Sequence, residues 1–238
     1  EDAESYRSLL QQSDEFSCEN AFVNLFVWQK VYNNMLCVYK NQLFIKSGSG
    51  EEETFSIPIG SSDLKESFEI IKEYLGGKMP KISAQEGPNF TRFKEIFGDE
   101  YNFIEDDDYY DYIYLQNDLA NLSGKKYHSK RNHISAFSKK YDWHYEKIGA
   151  QNIEKIKLCF EKWYNENAER MDELMLCEKR GIEIVLDNME SFGVVGGAIV
   201  VDDDVVAFSL GSAINDSVYD VHFEKALSEY QGAYATIN

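Results

Sequence analysis

The spacing of apolar residues divides the chain into helices and strands. Recurrence every three or four positions predicts amphipathic helices, whereas short apolar or alternating runs predict β-strands. The predicted helices cover residues 6–10, 16–32, 62–75, 88–97, 125–141, 153–163, 171–189 and 228–238. The predicted strands cover residues 36–39, 43–46, 54–59, 81–83, 101–104, 109–115, 143–148, 194–201, 205–210 and 218–223.

The order of these elements repeats along the chain. Each half contains two helices, three antiparallel strands and a further helix, and the first half adds a strand, a helix and two more strands. We therefore expect an α+β protein with mixed sheets, built from a first unit at 1–117 and a second unit at 118–238. The second unit stops early in this order, so we expect it to be incomplete in this chain.

Composition narrows the class of protein. A hydrophobic content of 43% with 14% aromatic residues is typical of a folded globular protein. The formal charge of -18 argues against a general nucleic-acid coat, because phosphate must be offset by positive charge, but it leaves room for a narrow contact with one RNA end. The four cysteines are widely spaced, which indicates reduced thiols, and no apolar run reaches the ~20 residues of a membrane helix. We expect a cytoplasmic protein with no transmembrane segment.

One basic segment contrasts with this acidic background. Residues 123–141 hold six Lys or Arg, two His and no carboxylate, and without those six charges the rest of the chain would stand at -18 - 6 = -24. Local potential, rather than net charge, attracts a charged ligand. The segment therefore predicts a place where an anion is held.

Helical geometry selects the residues of this segment that could reach an anion. On a helix over 125–141, Lys130 lies within the buried stripe and Arg131 flanks it, so both stems can run along apolar surface. With Lys126, they are the candidate ligands for a phosphate, a tRNA acceptor end or a CoA pyrophosphate. The alternative is that these cations pair with nearby acids.

A second cluster lies on the predicted strand near residue 222. Side chains alternate along a strand, so Asp220, His222 and Glu224 share one face, with Lys225 just beyond. Such groups could deprotonate an amine or orient a carbonyl. A metal is not predicted, because no further His or Cys clusters with them. The structural alternative is that they hydrogen-bond to hold the end of the strand.

Three stretches carry a resemblance to a known family. These are Ser-Gly-Lys-Lys-Tyr-His-Ser-Lys-Arg-Asn-His-Ile at 123–134, Val-His-Phe-Glu-Lys-Ala at 221–226 and Gly-Ala-Tyr-Ala-Thr-Ile-Asn at 232–238. Together they resemble the phosphatidylglycerol lysyltransferase C-terminal-domain family of bacteria. The resemblance implies tandem GNAT-type N-acyltransferase folds. It also implies kinship with Fem-type enzymes that move an aminoacyl group from charged tRNA to a lipid or to a peptidoglycan-bridge peptide.

The resemblance also bears on the choice of donor. Acetyl-CoA enzymes of the GNAT type keep a Gln/Arg-x-x-Gly-x-Gly/Ala loop, and Gly232 stands at its central glycine. Here the flanking positions hold Glu229, which would repel pyrophosphate, and Tyr234, which would crowd it. An aminoacyl-tRNA donor is therefore favoured over acyl-CoA. Tyr234 and Asn238 are one helical turn apart and could face the same cleft as Glu224, with a core position as the alternative for Tyr234.

The functional hypothesis is an N-acyltransferase or aminoacyltransferase. Its catalytic residues would be His222, Glu224 and Tyr234, and Lys126, Lys130, Arg131, Lys225, Gly232 and Asn238 would bind substrate. No resident cofactor is predicted; aminoacyl-tRNA or acyl-CoA would be a co-substrate, and the acceptor would be an amine on a small molecule, peptide or lipid headgroup. Two alternatives stay open, a non-catalytic anion-binding module and an RNA-binding protein. The hypothesis requires the basic cluster and the strand cluster to converge.

Overall fold

The computed structural model describes residues 2–60, 63–106 and 110–238, which form two compact units. The first unit comprises Glu1–Asp111 and Ala213–Asp220, and the second comprises Tyr112–Ser212 and Val221–Asn238. Each unit combines helices with one sheet. The predicted boundary between 117 and 118 stays a prediction.

The first unit contains five helices and five strands among its described residues. In chain order they are α1 (Asp2–Gln11), α2 (Phe22–Val27), α3 (Gln29–Tyr32), β1 (Met35–Tyr39), β2 (Gln42–Ser47), β3 (Thr54–Ser56), β4 (Ile59–Gly60), α4 (Leu64–Tyr74), β5 (Ile82–Ser83) and α5 (Pro88–Phe97). Short 3₁₀ turns lie at Cys18–Asn20 and Gly50–Glu52.

The sheet of the first unit is mixed, with the order β1-β2-β3-β5 and with β4 also paired to β2. The β1–β2 and β2–β3 pairs are antiparallel, whereas β3 and β5 are parallel. Its core packs Tyr6 and Leu10 of α1 against Leu43 and Ile45 of β2. The strands predicted at 36–39 and 43–46 form a hairpin, in which Tyr39 pairs with Gln42 across a turn of Lys40 and Asn41.

Two predictions for the first unit were wrong. The single helix expected over 16–32 is broken into a 3₁₀ turn, α2 and α3, and Asn33 ends α3 in the left-handed region at φ 51. The strands expected at 101–104 and 109–115 are absent where the structure describes them, at 101–106 and 110–115. Aromatic spacing suggested strands there, but Tyr101 instead packs its ring against Phe68 and Phe93.

The second unit begins with a short helix, and the helix that carries the basic segment follows it. Its elements are α6 (Gln116–Asn121), α7 (His128–Lys140), β6 (Trp143–Lys147), α8 (Ile153–Glu166), α9 (Glu173–Asp187), α10 (Met189–Phe192), β7 (Val195–Val201), β8 (Asp204–Ala213), β9 (Tyr219–Ala226) and α11 (Ala233–Ile237). Short 3₁₀ turns precede α7 at Lys125–Tyr127 and α9 at Ala168–Arg170. The expected helix at 171–189 is shorter and ends at Asp187, before α10.

The sheet of the second unit has the order β6-β7-β8-β9, and its β6–β7 and β7–β8 pairs are antiparallel. Its core joins Phe137 of α7 and Ala233 of α11 to Ile199 and Ala207 of the central strands, and all four residues are buried. The sheet therefore holds α7 and α11 side by side on it, which brings the basic helix close to the chain that follows β9.

Gly232 is the residue that allows this close packing. Its φ is +96, in the left-handed region that favours glycine. A Cβ atom at this position would lie 2.7 Å from the carbonyl oxygen of His133 and 2.9 Å from the Cβ of Phe137. A side chain would therefore push α11 away from α7, and Gly232 sets the distance between these helices.

Replacement of Gly232 should destabilise the second unit more than its backbone angle alone requires. Gly124 has a similar φ of +87 but open space where a Cβ would stand. Gly124→Ala should lose about 1–3 kcal/mol of unfolding free energy, because its ψ of 178 places the residue in a region that only glycine adopts without strain. Gly232→Ala should lose about 1–3 kcal/mol more, because its methyl group meets α7. Urea unfolding measures both, and equal losses would contradict the packing role.

Candidate functional site

The candidate site is built on strand β9, whose two faces differ. Phe223 and Lys225 are buried, whereas His222 and Glu224 on the other face are partly exposed. This alternation follows from the period of two in a strand. One face thus anchors β9 in the unit, and the other presents ionisable side chains.

Strand β9, helix α7 and the chain from α11 to Asn238 meet around Glu224. Asn238, which follows α11, donates its side-chain amide to both carboxylate oxygens, at 3.1 and 3.0 Å. The ammonium of Lys130 on α7 donates in turn to the side-chain carbonyl of Asn238. The hydroxyl of Tyr234 donates to the backbone carbonyl of Glu224 at 3.3 Å. The structure therefore brings together four of the nine predicted site residues.

The side-chain amide of Asn238 lies between the ammonium of Lys130 and the carboxylate of Glu224. Asn238 offers its oxygen to Lys130 and its nitrogen to Glu224, so the two charges are linked without a direct ion pair. A direct pair would satisfy both groups with each other. Here Lys130 keeps further N–H donors and Glu224 keeps acceptor capacity, because an ammonium has three donors and a carboxylate about four acceptor positions.

Burial sets the ionisation of the cluster. It raises the pKa of Glu224 above its ordinary value, while the hydrogen bond from Asn238 and the charge of Lys130 act in the opposite direction. A raised carboxyl pKa favours the protonated folded state. The stability from this group is therefore complete below the ordinary glutamate pKa and is lost as pH rises through the folded-state value. The pKa of Tyr234 is also raised, by burial and then by the carboxylates of Glu224 and Glu178.

Lys225 lies on the buried face of β9 and has its own partner. Its ammonium contacts both carboxylate oxygens of Glu178 on α9, at 3.0 and 3.1 Å, and sits 4.3 Å from the ring centre of Trp163 on α8. An ion pair combined with a cation–π contact compensates the cost of burying this charge. The arrangement fastens β9 to the two helices.

His222 contacts the neighbouring strand. Its Nε2 atom lies 2.8 Å from the hydroxyl oxygen of Ser212 on β8. Ser212 is buried, so this hydrogen bond fixes the orientation of the imidazole ring. Asp220, which shares the strand face, is grouped with the first unit, where it accepts a hydrogen bond from Asn24 at 3.2 Å.

The other two basic residues of the hypothesis, Arg131 and Lys126, contact the chain that precedes α7. The guanidinium of Arg131 donates to the backbone carbonyls of Leu122 and, at 2.8 Å, Gly124. Lys126 forms an ion pair with Asp118 at 2.8 Å. The hypothesis placed Lys130 and Arg131 together at one anion, but only Lys130 reaches the Glu224 cluster. Arg131 faces the loop before α7, because neighbouring residues of a helix point about 100° apart.

Sequence reasoning missed three residues of this region: Glu178, Trp163 and Ser212. Trp163 ends the helix predicted at 153–163, where an aromatic residue fits an apolar face, and Glu178 is one of many acids on helices. The feature that could have pointed to Glu178 and Trp163 is Lys225, since a lysine that is buried requires a carboxylate or an aromatic face as a partner. The sequence alone does not show which of the acidic residues pairs with Lys225.

Other potential binding features lie elsewhere. Two surface pockets of about 350 and 300 Å³ occur in the first unit, the former lined by Phe90 and Lys94 and the latter by Glu15 and Arg92. Within the described ranges, no group of three or more His, Cys, Asp or Glu residues is arranged to hold a metal ion. In the same ranges, no helix is both long and apolar enough to cross a bilayer.

These elements define an α+β protein of two compact units, with a charged cluster at the end of β9. The chain belongs to the family described as phosphatidylglycerol lysyltransferase, C-terminal, whose sequence profile matches residues 10–238. The resemblance noted in the sequence is thereby confirmed. Among curated proteins no match was found.

Two solved structures are similar to the chain. A conserved protein of unknown function from Bacteroides thetaiotaomicron is 32% identical, with a TM-score of 0.88, over 99% of this chain and 81% of that one. A structure described as the C-terminal domain of a lysylphosphatidylglycerol synthetase from Agrobacterium fabrum is 10% identical, with a TM-score of 0.57, over 96% of this chain and 69% of that one. At 10% identity, the second likeness shows a shared fold alone.

The Glu224 cluster makes a direct electrostatic prediction. Asn238→Ala removes a hydrogen bond that stabilises the carboxylate, so the pKa of Glu224 should rise further above its ordinary value. Tyr234→Phe should change it little, because the hydroxyl bonds the backbone carbonyl of Glu224 and not its carboxylate. NMR titration of the labelled glutamate side chain measures both. An unchanged pKa in Asn238→Ala would contradict this geometry.

Proposed function

We propose that this protein transfers an activated aminoacyl or acyl group to a nucleophilic acceptor, and that the reaction occurs at Glu224 in the second unit. Membership of the family supports a transferase of this class. The observation that carries the proposal is the half-buried carboxylate of Glu224, held by Asn238 beside the ammonium of Lys130. A base and an anion-binding cation at one place are the two groups that such a transfer needs.

The proposed reaction needs no covalent enzyme intermediate. The acceptor nitrogen attacks the carbonyl carbon of the donor, and Glu224 takes the proton that the nitrogen loses. The bond from that carbon to the ester oxygen of an aminoacyl-tRNA, or to the sulfur of an acyl-CoA, then breaks. The leaving oxygen or sulfur receives the proton from Glu224, which restores the carboxylate. Burial favours this cycle, because a raised pKa makes Glu224 a stronger base.

The other residues have proposed roles in holding the reactants. Lys130 would attract a phosphate of the donor, because this side chain is partly exposed to solvent beside Glu224 and Asn238. Tyr234 and Asn238 would position the strand end and the carboxylate of Glu224. His222, fixed by Ser212 on the same strand face, would orient the incoming amine. Lys126, Arg131, Lys225 and Gly232 support the site through the contacts described above.

Aminoacyl-tRNA is the favoured donor. A CoA pyrophosphate would need free N–H groups at the start of α11, but the N–H of Ala233 donates to the carbonyl of Tyr230 at 2.9 Å. Gly232 is explained by its contact with α7. Around α7, no Asp or Glu occurs between Asp118 and Asp142, which gives a basic surface suited to an RNA backbone. The acceptor would be an amine on a small molecule or peptide, or a lipid headgroup.

We also propose that both units are GNAT-type folds in tandem. The order of two helices, antiparallel strands and a following helix in the second unit supports this assignment. In that fold the strand and helix equivalent to β9 and α11 flank the acyl donor, which agrees with a reaction at Glu224. The expected cytoplasmic location stays a prediction.

An RNA-binding protein without turnover is the second candidate. The acid-free surface of α7 favours it independently of Glu224. Its affinity for tRNA should fall steeply with salt and should respond to Lys139 and Lys140 as strongly as to Lys130.

Transfer of a radiolabelled aminoacyl group from charged tRNA should depend on Glu224. With mixed lipid, peptide and amine acceptors, Glu224→Gln should lower kcat by about 100-fold or more, the usual contribution of a general base. Lys130→Met should chiefly raise the KM for the donor. Glu154→Gln, an exposed acid on α8, should change neither constant. The proposal would be overturned if folded protein transferred no group from any charged tRNA or acyl-CoA tested.

A further inference from the structure

Strand β1 is an apolar sheet edge whose side chains are exposed in large part on both faces. It lies at the end of the first-unit sheet, and within the described ranges β2 is the strand beside it. All five of its residues are exposed, including Met35 at 54%, Leu36 at 39%, Val38 at 40% and Tyr39 at 49%. Leu36 and Val38 are exposed even though they share the sheet face of the core residues Ile45 and Leu43, with which they pair.

The hairpin register shows which backbone groups point outward from β1. Lys40 and Asn41, at φ 50 and 60, form a two-residue turn with both angles positive, which closes on a hydrogen-bonded pair of Tyr39 and Gln42. Hydrogen-bonded and non-hydrogen-bonded pairs then alternate along the strand. Tyr39, Cys37 and Met35 therefore direct their backbone groups toward β2. Leu36 and Val38 direct theirs to the outer edge.

The other sheet ends among the described residues are charged or short. Strand β6 at one end of the second sheet carries His144, Glu146 and Lys147, and β9 at the other end carries charged residues on both faces. In the first sheet, β5 is only two residues long. Charge and short length are the usual means by which proteins prevent edge-to-edge pairing. Strand β1, with the sequence Met-Leu-Cys-Val-Tyr, uses neither.

The charge distribution admits a second copy at this edge. The chain carries -18 overall, so most of its surface repels an identical molecule. No Asp or Glu occurs between Glu19 and Glu51, however, and this stretch contains β1 and β2 entire. Two copies can therefore meet along β1 without opposing carboxylates from these strands.

We propose that two copies of this chain associate through antiparallel pairing of β1 with β1. A two-fold axis at Cys37 pairs all five residues of each strand, with Met35 opposite Tyr39 and Leu36 opposite Val38. The outward backbone groups of Leu36 and Val38 then form four hydrogen bonds between the copies. The two sheets become one continuous sheet, and the apolar side chains of β1 gain cross-strand neighbours on both faces.

A strand fits this edge better than a membrane surface does. A lipid bilayer could cover the apolar side chains, but it offers no partner for the outward N–H and C=O groups, which are costly in hydrocarbon. A strand satisfies these backbone groups and also places side chains beside those of β1 on both faces. Identical strands satisfy them symmetrically, because each residue meets its counterpart in the same way.

Analytical ultracentrifugation over a range of protein concentrations tests the proposal. The wild-type protein should reach the mass of a dimer. Val38→Lys places a charge on the edge and should weaken the dimer by at least about tenfold. Leu158→Lys, which changes a 63% exposed apolar residue on α8, should leave the dimer unaltered. A wild-type protein that stays monomeric, or a dimer that Val38→Lys does not weaken, would overturn the proposal.

Cysteine cross-linking tests the position of the axis without disturbing the strand. Cys37 would form a non-hydrogen-bonded pair with its counterpart, with Cα atoms about 4.5 Å apart, within the range of a disulfide. Copper–phenanthroline oxidation should therefore convert the dimer to a covalent species in non-reducing gels. Cys37→Ser should abolish that species while keeping the non-covalent dimer. A dimer whose Cys37 residues do not cross-link would contradict the proposed pairing.

Discussion

The cost of burying the carboxylate of Glu224 is the constraint on which the candidate site depends. A carboxylate removed from water must be given hydrogen-bond donors or a nearby cation. Here Asn238 supplies the donors directly, and Lys130 supplies positive charge through the same amide. The pKa of Glu224 nevertheless stays raised, so burial outweighs the compensation. The carboxylate of Glu224 is therefore a basic group held in a fixed position, with Lys130 linked to it only through the amide of Asn238.

That compensation exists only because α11 lies against α7. Asn238 follows α11 and Lys130 belongs to α7, so the distance between these helices sets the contact between the two side chains. Gly232 permits this distance by leaving room for the backbone of His133. On the other face of β9, the pair of Lys225 and Glu178 fixes the strand that carries Glu224. Packing and electrostatics at the site are thus parts of one arrangement.

Much of the fold could be predicted from residue periodicity, and the failures have physical causes. The hairpin of β1 and β2 and the four strands of the second sheet were all predicted close to their true positions. The segment after α5 was not, because aromatic residues there are also compatible with irregular chain packed on a core, as Tyr101 shows. Periodicity describes one segment at a time, whereas a strand requires a partner.

The site was predictable to the extent that it depends on local spacing. The separation of Tyr234 and Asn238 by one turn indicated that both could face the same side as Glu224, and both side chains hydrogen-bond to that residue. The choice between Lys130 and Arg131 was not available from spacing, since it depends on which part of the fold each side chain meets, Asn238 for Lys130 and the loop before α7 for Arg131. The partner of Lys225 was equally hidden, because Glu178 lies on a separate helix and contacts it only in the folded unit.

A crystal structure of the protein with a stable analogue of an aminoacyl-tRNA end, a 3′-aminoacylamino-adenosine, would test the central claim most directly. Our account predicts that the acyl carbonyl lies within reach of the carboxylate of Glu224, with Asn238 still bonded to that carboxylate. An analogue bound at another place, with the Glu224 cluster unchanged and unoccupied, would contradict it.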